Sequence, residues 1–264
     1  MDYVITSLQN PKVKEVVRLR DRRDRDESGL FIIEGYRELR RALDAGREVQ
    51  TLYYCLEYFL GTNEQQIIID CKHAVECSKE VFAKMSYRDR PDGLLAVAPQ
   101  QHLKLQDLKL KKNPFIVIAE SIEKPGNLGT ILRSCDAAGV DVVIVCDRTT
   151  DIHNPNVVRS SVGTLFTLPV LEASTEETLE FLKKNNIAVV AATPHAKLEY
   201  TQADFKVPLA IVVGTEQYGL TENWIHSADI SVRIPMFGVA DSLNVASATT
   251  LMLYEVVRQR SHLL

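Results

Sequence analysis

Three short polar clusters in the second half of the chain contain residues that could perform chemistry. Each follows an apolar run with the length and β-branched content of a strand that is covered on both faces. In a parallel α/β sheet, ligands bind beyond the carboxyl ends of the strands, so glycines and polar side chains collected there are candidates for a site. The clusters are residues 127–134 after the run 115–119, residues 214–220 after the run 209–213, and residues 234–244 after the run 230–234.

Five side chains in these clusters could bind or orient a substrate. Each also has a structural reading, because the amides and the hydroxyl could cap helices, the carboxylate could close a turn, and the arginine could be solvated. Ser242 and Asn244 precede the same predicted helix, and since only one of them can cap it, the other is expected to have a role besides capping. Gly214 directly follows an apolar strand and is expected to let the backbone approach a ligand closely. The five are Asn127, Arg133, Glu216, Ser242 and Asn244.

Several common sites are disfavoured by spacing. Gly126 and Gly129 follow a strand but lack the Gly-x-Gly-x-x-Gly spacing of a nicotinamide site, and residues 214–219 have a phosphate-loop frame with Leu220 where lysine is required. The six histidines show no paired ligand spacing, so we expect no metal. The five cysteines are odd in number and lack a Cys-x-x-Cys pair, which predicts reduced, mostly buried thiols.

Composition indicates a globular protein, and charge is unevenly distributed. The 264 residues include 31 basic and 35 acidic side chains, for a net charge of -4. Residues 1–113 carry a net of +2 and residues 114–264 a net of -6, so the first part is the better candidate for a nucleic-acid contact. No signal sequence and no apolar stretch near 18 residues is present, which predicts a soluble, cytoplasmic protein.

The order of predicted elements indicates an α/β protein with two domains. Residues 1–98 are predicted to form a small α/β domain with a basic helix after Pro11 and a second helix over 36–45. Residues 99–113 are rich in lysine and glutamine and suit a linker. Residues 114–264 alternate strand and helix, which favours a parallel sheet with both faces covered. Its expected strands are 115–119, 142–146, 187–192, 209–213 and 230–234, and its expected helices 128–138, 176–185 and 243–260.

Taken together, the clusters resemble the three motifs of the SpoU (TrmH-like) RNA ribose 2'-O-methyltransferases, a family of the SPOUT superfamily. The likeness covers about residues 114–260, in the order of that family, with a 20-residue step from Gly214 to Ile234 and a 9-residue step to Leu243. Residues 10–14 and 31–35 are similar to the start of members with an accessory, ribosomal-protein-like RNA-binding domain. The motifs are residues 123–134 (Glu-Lys-Pro-Gly-Asn-Leu-Gly-x-x-x-Arg-Ser), 214–220 (Gly-x-Glu-x-x-Gly-Leu) and 234–247, with Ile-Pro-Met and Ser-Leu-Asn-x-x-Ser.

The resemblance implies a deep trefoil knot near the carboxyl end and S-adenosylmethionine bound in it. It also implies a homodimer through the knotted domain, for which Leu251, Leu253, Val256 and Val257 are candidates. No metal or membrane is implied. The residues that match cofactor-binding positions are Thr193, Gly214, Leu220, Ile234, Met236 and Leu243.

The implied reaction is attack of a ribose 2'-hydroxyl on the sulfonium methyl group. The residue matching Arg133 is often assigned as the base, but a guanidinium has a pKa of roughly 12.5 to 13.8 and stays protonated in proteins. We therefore expect Arg133 to clamp the target phosphate and stabilise the developing alkoxide. Ser242 and Asn244 are expected to orient it and the ribose, and Asn127 and Glu216 to hold the arginine and the site loops.

Ribosomal RNA is the preferred substrate on the resemblance of residues 1–98. Transfer RNA methylation, base methylation and a non-catalytic RNA-binding role remain alternatives. The predicted RNA contacts are basic residues of the first two helical regions, although interspersed acidic residues make a solvated helix nearly as good a reading. The main candidates are Lys12, Lys14, Arg18, Arg22, Arg37 and Arg41, with Arg20, Arg23, Arg25 and Arg40 beside them.

Overall fold

A computed structural model describes residues 4–261. The chain divides into two compact units, each built on its own sheet. The first unit comprises the chain up to Gln101 together with Asp151–Thr167, and the second comprises His102–Thr150 and the chain from Leu168 onward. Within the described part of the chain, no helix combines the length and the apolar character needed to cross a bilayer.

The first unit contains a five-stranded mixed sheet in the order β1-β4-β3-β5-β2. The predicted basic helix is two helices, because residues 19–21 interrupt it. The first begins at Pro11, where Asn10 Oδ1 accepts a hydrogen bond from Lys12 N at 2.9 Å, and the second ends at Gly29 with a φ of +66°. The elements are β1 (Val4–Ile5), α1 (Pro11–Arg18), α2 (Arg22–Ser28), β2 (Leu30–Glu34), α3 (Tyr36–Asp44), β3 (Thr51–Tyr54), α4 (Glu64–Asp70), β4 (Ala74–Cys77), α5 (Lys79–Met85) and β5 (Leu94–Pro99).

The rest of the chain supplies seven more strands and five more helices among the described residues. The predicted strands are confirmed to within one residue at each end, and α6 begins three residues earlier than expected, at Pro125, whose ring suits the first helical position. The elements are β6 (Phe115–Glu120), α6 (Pro125–Ala137), β7 (Val142–Cys146), α7 (Pro155–Ser160), β8 (Val170–Ala173), α8 (Thr175–Lys184), β9 (Ala188–Ala192), β10 (Leu198–Glu199), β11 (Leu209–Val213), α9 (Glu222–Ser227), β12 (Ile230–Arg233) and α10 (Val245–Ser261).

The second unit is a seven-stranded sheet in the order β10-β12-β9-β11-β6-β7-β8, and every neighbouring pair is parallel. Alternate residues of its central strands, such as Ile116 and Ile118, pack with Leu182 of α8 and Trp224 of α9. Helices α6 and α10 pack against each other, and Ser134 Oγ lies 2.8 Å from Thr250 Oγ1. The predicted parallel α/β sheet is therefore confirmed. All five cysteines are reduced and buried, as predicted, and burial raises the pKa of Cys77 and Cys146 to about 12.

Residues 151–167 leave the second unit after β7 and pack within the first, a crossing that the predicted boundaries 99–113 and 114–264 did not include. The buried Arg25 guanidinium donates to Asp151 Oδ2 at 2.7 Å. The Phe31 ring lies 4.7 Å from the ring of His153 and 6.1 Å from that of Phe166, between centroids. An ion pair and two ring contacts thus hold this crossing segment, defined as Asp151–Thr167.

Candidate functional site

A cleft of about 590 Å³ lies at the carboxyl edge of the second sheet. Strands β12, β9 and β11 are adjacent and parallel, so the residues that follow them meet at one edge. The volume is in the range of small-molecule sites. All six predicted cofactor-binding residues line it: Thr193 after β9, Gly214 and Leu220 after β11, Ile234 and Met236 after β12, and Leu243 before α10.

Two of the predicted catalytic residues also line this cleft, and three do not. Glu216 and Ser242 are among its lining residues. Asn127 and Arg133 lie on α6, and Asn244 immediately precedes α10. The sequence clusters are therefore brought together by three strand ends and two helices of one unit.

The loop that begins at position 214 requires a glycine there. A Cβ on Gly214 would lie 2.3 Å from the carbonyl oxygen of Gly219, a distance that real Cβ atoms do not show. Thr215 and Gly219 exchange two backbone hydrogen bonds of 3.1 Å, which fold the loop back onto the strand end. The close approach predicted for Gly214 is thus an approach to Gly219, and it shapes the wall of the cleft.

We expect Gly214→Ala to weaken binding of S-adenosylmethionine by at least about tenfold, because the loop must move to admit the methyl group, and 1.4 kcal/mol is already a tenfold change. Isothermal titration calorimetry of the purified variant measures this. Gly238→Ala is the matched control, since nothing lies within 4 Å of its added Cβ. Unchanged affinity for Gly214→Ala would show that the loop is not part of the binding wall.

Glu216 is the centre of a polar network at the edge of the cleft. Its Oε2 accepts from Lys124 Nζ at 2.7 Å, and its Oε1 accepts from Asn127 Nδ2 at 3.0 Å and Asn244 Nδ2 at 2.6 Å. Asn244 Nδ2 also lies 3.2 Å from Asn127 Oδ1, and Asn244 Oδ1 accepts from Ala246 N at 3.0 Å. Asn244 therefore caps α10 and holds Glu216 at once, whereas Asn127 does not cap α6.

Arg133 and Ser242 are exposed and take no part in this network. Neither side chain forms a hydrogen bond or an ion pair with any of residues 4–261. The expected contacts from Asn127, Glu216, Ser242 and Asn244 to the arginine are absent, because the two amides bond to the carboxylate instead. The guanidinium is consequently available to an anion from outside the chain.

Glu120 and Lys124 are parts of the site that the sequence prediction left out of its residue set. Glu120 ends β6, is 1% exposed, and accepts from Thr221 N at 3.0 Å and Thr221 Oγ1 at 2.6 Å. These two hydrogen bonds attach the loop between β11 and α9 to the end of β6. The sequence did contain a signal for Glu120, since a carboxylate directly after an apolar strand is costly to bury without hydrogen-bond partners.

The predicted RNA-binding residues of the first unit differ in how their side chains are engaged. Four are exposed and form no hydrogen bond or ion pair with the described residues: Lys12, Lys14, Arg18 and Arg37. Arg22 forms an ion pair with Asp26 at 3.5 Å. Others serve the fold, because Arg41 donates to the Val162 carbonyl, Arg20 to the carbonyls of Lys84 and Ser86, and Arg40 to Asp44 and Asp70, while Arg25 is 1% exposed.

Residues 114–254 match the SpoU rRNA Methylase family, and residues 10–96 match an MRM3-like substrate binding domain. The chain belongs to the SpoU rRNA methylase family. The first match contains every residue of the cleft and of the Glu216 network. The chain is 30% identical over 250 residues to a 23S rRNA (uridine(2479)-2'-O)-methyltransferase of Streptomyces viridochromogenes, covering 92% of this chain and 87% of that protein.

Two solved structures of this fold align over nearly the whole chain. One, described as an RNA 2'-O ribose methyltransferase, has a TM-score of 0.88 and 43% identity, covering 98% of this chain and 100% of that one. The other, an AdoMet-bound rRNA methyltransferase from Sinorhizobium meliloti, has a TM-score of 0.89 and 32% identity, covering 99% and 98%. S-adenosylmethionine is thus the cofactor of this SpoU family member.

The residues of the cleft fit S-adenosylmethionine. Leu220, Ile234 and Leu243 line the cleft and give it apolar surface of the kind that suits an adenine ring. Three carboxylates, those of Glu216, Glu222 and Asp241, line this cleft, and no lysine or arginine is among its lining residues. This suits a ligand that carries a sulfonium and an ammonium group.

The hydrogen bond and charge of Lys124 hold the pKa of Glu216 below its ordinary value, with Asn127 contributing less. A depressed carboxyl pKa means that the ionised network is present at neutral pH and is lost as the pH falls through the folded-state pKa. In this SpoU family member, Lys124 is therefore expected to keep the network charged under mildly acidic conditions.

We expect Lys124→Met to lose affinity for S-adenosylmethionine at a higher pH than the unchanged protein, because the pKa of Glu216 rises back toward the ordinary value of a glutamate. Calorimetric titrations between about pH 3 and 6 check this. Lys112→Met, at an exposed lysine of the same unit, is the control. Identical pH profiles for all three proteins would contradict the assignment.

Proposed function

We propose that this protein transfers a methyl group from S-adenosylmethionine to a ribose 2'-hydroxyl of ribosomal RNA. The observation that carries the proposal is the juxtaposition of a cofactor-sized cleft with an exposed, unpaired arginine and the Glu216 network in one unit. The names of relatives support it, since the Streptomyces protein is a 23S rRNA 2'-O-methyltransferase and the Sinorhizobium protein an rRNA methyltransferase.

The cofactor, when bound, supplies an activated methyl group and its own leaving group. The chain has to align the 2'-hydroxyl and stabilise the negative charge that develops on its oxygen as the hydroxyl proton is released to solvent water. Arg133 does both through a bidentate contact with the adjoining phosphate and a charge near the oxygen. Ser242, on the lining of the cleft, orients the ribose.

The Glu216 network positions rather than reacts. Asn127 on α6, Glu216 after β11 and Asn244 before α10 join three segments that are distant in sequence, with separations of 28 to 117 residues. Joined in this way, the network fixes α6, which carries Arg133, against the loops that line the cleft. We assign Asn127, Glu216 and Asn244 to this role.

The finer features expected from the family belong to the same proposal: a trefoil knot that threads the chain near α10, a homodimer and a cytoplasmic location. Of the apolar residues offered for a dimer contact, Leu253 and Val256 are buried in the core of the unit, whereas Leu251 is 41% exposed. Tyr254, three residues along the same helix and 49% exposed, supports a partner surface beside it. Sedimentation equilibrium distinguishes a dimer from a monomer.

Methyl transfer from tritiated S-adenosylmethionine to unmodified ribosomal and transfer RNA transcripts tests the function. We expect label in ribosomal RNA, and nuclease digestion with mass spectrometry to place it on a ribose. Label on a base, label confined to transfer RNA, or binding without transfer would each overturn the proposal. Mapping 2'-O-methyl positions in cells with and without the protein then identifies the nucleotide.

A further inference from the structure

The first unit contains a second cleft, of about 510 Å³, which the function proposed above does not use. It lies between the start of α3, the turn before α4, the loop around Arg88 and Asp92, and helix α7 of the crossing segment. The match to a substrate binding domain ends at residue 96, so it does not contain Arg159, which forms part of the lining.

The rim of this cleft is basic. Arg37 and Arg159 are both exposed, and neither side chain forms a hydrogen bond or an ion pair with another described residue. Two unpaired guanidinium groups lining one cleft suit phosphate oxygens, which they bind through two parallel hydrogen bonds each. The rim alone would fit any phosphate-bearing ligand.

The floor of the cleft consists of buried or half-buried side chains: the carboxylates of Glu38, Glu64 and Asp92 and the guanidinium of Arg88. The Arg88 guanidinium lies 2.9 Å from Glu38 Oε1 and 3.3 Å from Asp92 Oδ2, and it donates to the Glu34 carbonyl at 2.5 Å. Gly35 makes this possible, since a Cβ there would lie 2.2 Å from Arg88 Nη2. The floor is therefore fixed before any ligand arrives.

Hydrogen-bonding capacity is left over in this floor. Glu64 is 5% exposed, and its Oε1 accepts from the backbone nitrogens of Leu60 and Gly61 at 3.0 Å, while its Oε2 has no partner among residues 4–261. Asp92 Oδ1 and Arg88 Nε are likewise buried and unpartnered within the described chain. Buried acceptors without partners are destabilising, and they are expected where a ligand supplies the missing donors.

The two layers select a class of ligand. A metal ion would be repelled by the rim, and a simple anion would be repelled by the carboxylates of the floor. An unpaired nucleotide of single-stranded RNA satisfies both, with its phosphate on the rim and its base-edge donors on the floor. Tyr36 in the lining adds an aromatic surface of the kind on which bases stack.

We propose that this cleft binds one unpaired guanosine nucleotide of the RNA substrate, with the phosphate on Arg37 and Arg159 and the base edge on the carboxylates of Asp92 and Glu64. Guanine is the base with two adjacent donors, N1–H and the N2 amino group, which suit the two carboxylate oxygens left without a partner in the described chain, Glu64 Oε2 and Asp92 Oδ1. The inference rests on the proposed function, because it takes the ligand to be RNA.

The test measures binding of labelled single-stranded RNA by fluorescence anisotropy at several salt concentrations. The probes are a uridine 12-mer and the same 12-mer with one central guanosine. The variants are the double change Arg37→Ala/Arg159→Ala, whose side chains support no described contact, and Glu64→Gln. The control is Arg90→Ala/Lys72→Ala, which removes two exposed cations of the same unit outside the cleft.

The unchanged protein is expected to prefer the guanosine probe. The double variant should weaken binding of both probes about tenfold and lower the slope of log Kd against log salt by about 0.7, for the one phosphate that the two arginines bind. Glu64→Gln should abolish the guanosine preference and leave the slope unchanged. Equal affinities for the double variant and its control, or no preference in the unchanged protein, would overturn the proposal.

This binding assay needs no methyl transfer, so the two proposals fail separately. Loss of RNA affinity in the double variant, combined with absent methyl transfer in the unchanged protein, would retain the cleft and reject the activity. Normal methyl transfer with unaltered RNA affinity in the double variant would retain the activity and reject the cleft as an RNA site.

Discussion

Arg133→Ala is expected to lower the single-turnover rate of methyl transfer by about 10²- to 10³-fold, the effect of removing one preorganised donor from a developing oxyanion. Arg133→Lys should retain measurable transfer, because a lysine keeps the positive charge and loses only the bidentate geometry. The residue is exposed and unpaired within the described chain, so neither change should disturb folding. Rates with saturating RNA and cofactor measure the effect.

The comparison of these two variants decides the role of the arginine. Complete and equal loss in both variants, with intact RNA affinity, would contradict electrostatic action, because the lysine keeps the positive charge. Affinity for S-adenosylmethionine should stay constant, since Arg133 does not line the cofactor cleft. Arg258→Ala, at the exposed end of α10, is a suitable control for removal of a cation from the same unit.

The second large effect is on stability. Asp151→Ala is expected to lower the free energy of unfolding of the first unit by about 3–5 kcal/mol, because it leaves the buried Arg25 charge without its counterion. The side chains of Arg25 and Asp151 are 1% and 5% exposed and 2.7 Å apart. Urea unfolding followed by circular dichroism measures the change, and Asp89→Ala, at an exposed aspartate of the same unit, is the control.

The double change Arg25→Met/Asp151→Leu should recover a large part of that loss, because replacing both partners leaves no unpaired charge. Recovery will be incomplete, since Arg25 also donates to the carbonyls of Leu19 and Arg20 at 2.9 and 2.7 Å. A cost below about 1 kcal/mol for Asp151→Ala, the range of exposed pairs, would show that the pair is solvated in solution.

The sequence predicted what depends on local patterns. Apolar runs such as 115–119 and 209–213 could be assigned as buried strands, and their carboxyl ends indicated where the cleft had to be. The resemblance to the SpoU family then implied that Gly214, Ile234 and Leu243 bind the cofactor, and the structure has all three on the lining of one cleft. The short strands β8 and β10 and the helices α7 and α9 were missed, because two to six residues carry too little periodicity.

Partner choice among polar residues could not be predicted. Arg25 and Arg37 are both arginines in basic helical segments, yet one is buried against Asp151, 126 residues away, and the other is exposed. Asn127 could equally cap a helix or bind a distant carboxylate, and only the folded chain places Glu216 3.0 Å away. Such outcomes depend on long-range packing, which sequence spacing does not encode.

The crossing segment has a consequence for how these two units can be separated. Because Asp151–Thr167 packs within the first unit, the chain passes between the units at residues 101–102, 150–151 and 167–168. A fragment that stops at residue 101 would lose the ring contacts of Phe31 with His153 and Phe166, and it would leave the buried Arg25 without its counterion Asp151. The first unit is therefore not a detachable module, and a chimera that exchanges it between relatives must transplant two pieces of sequence together.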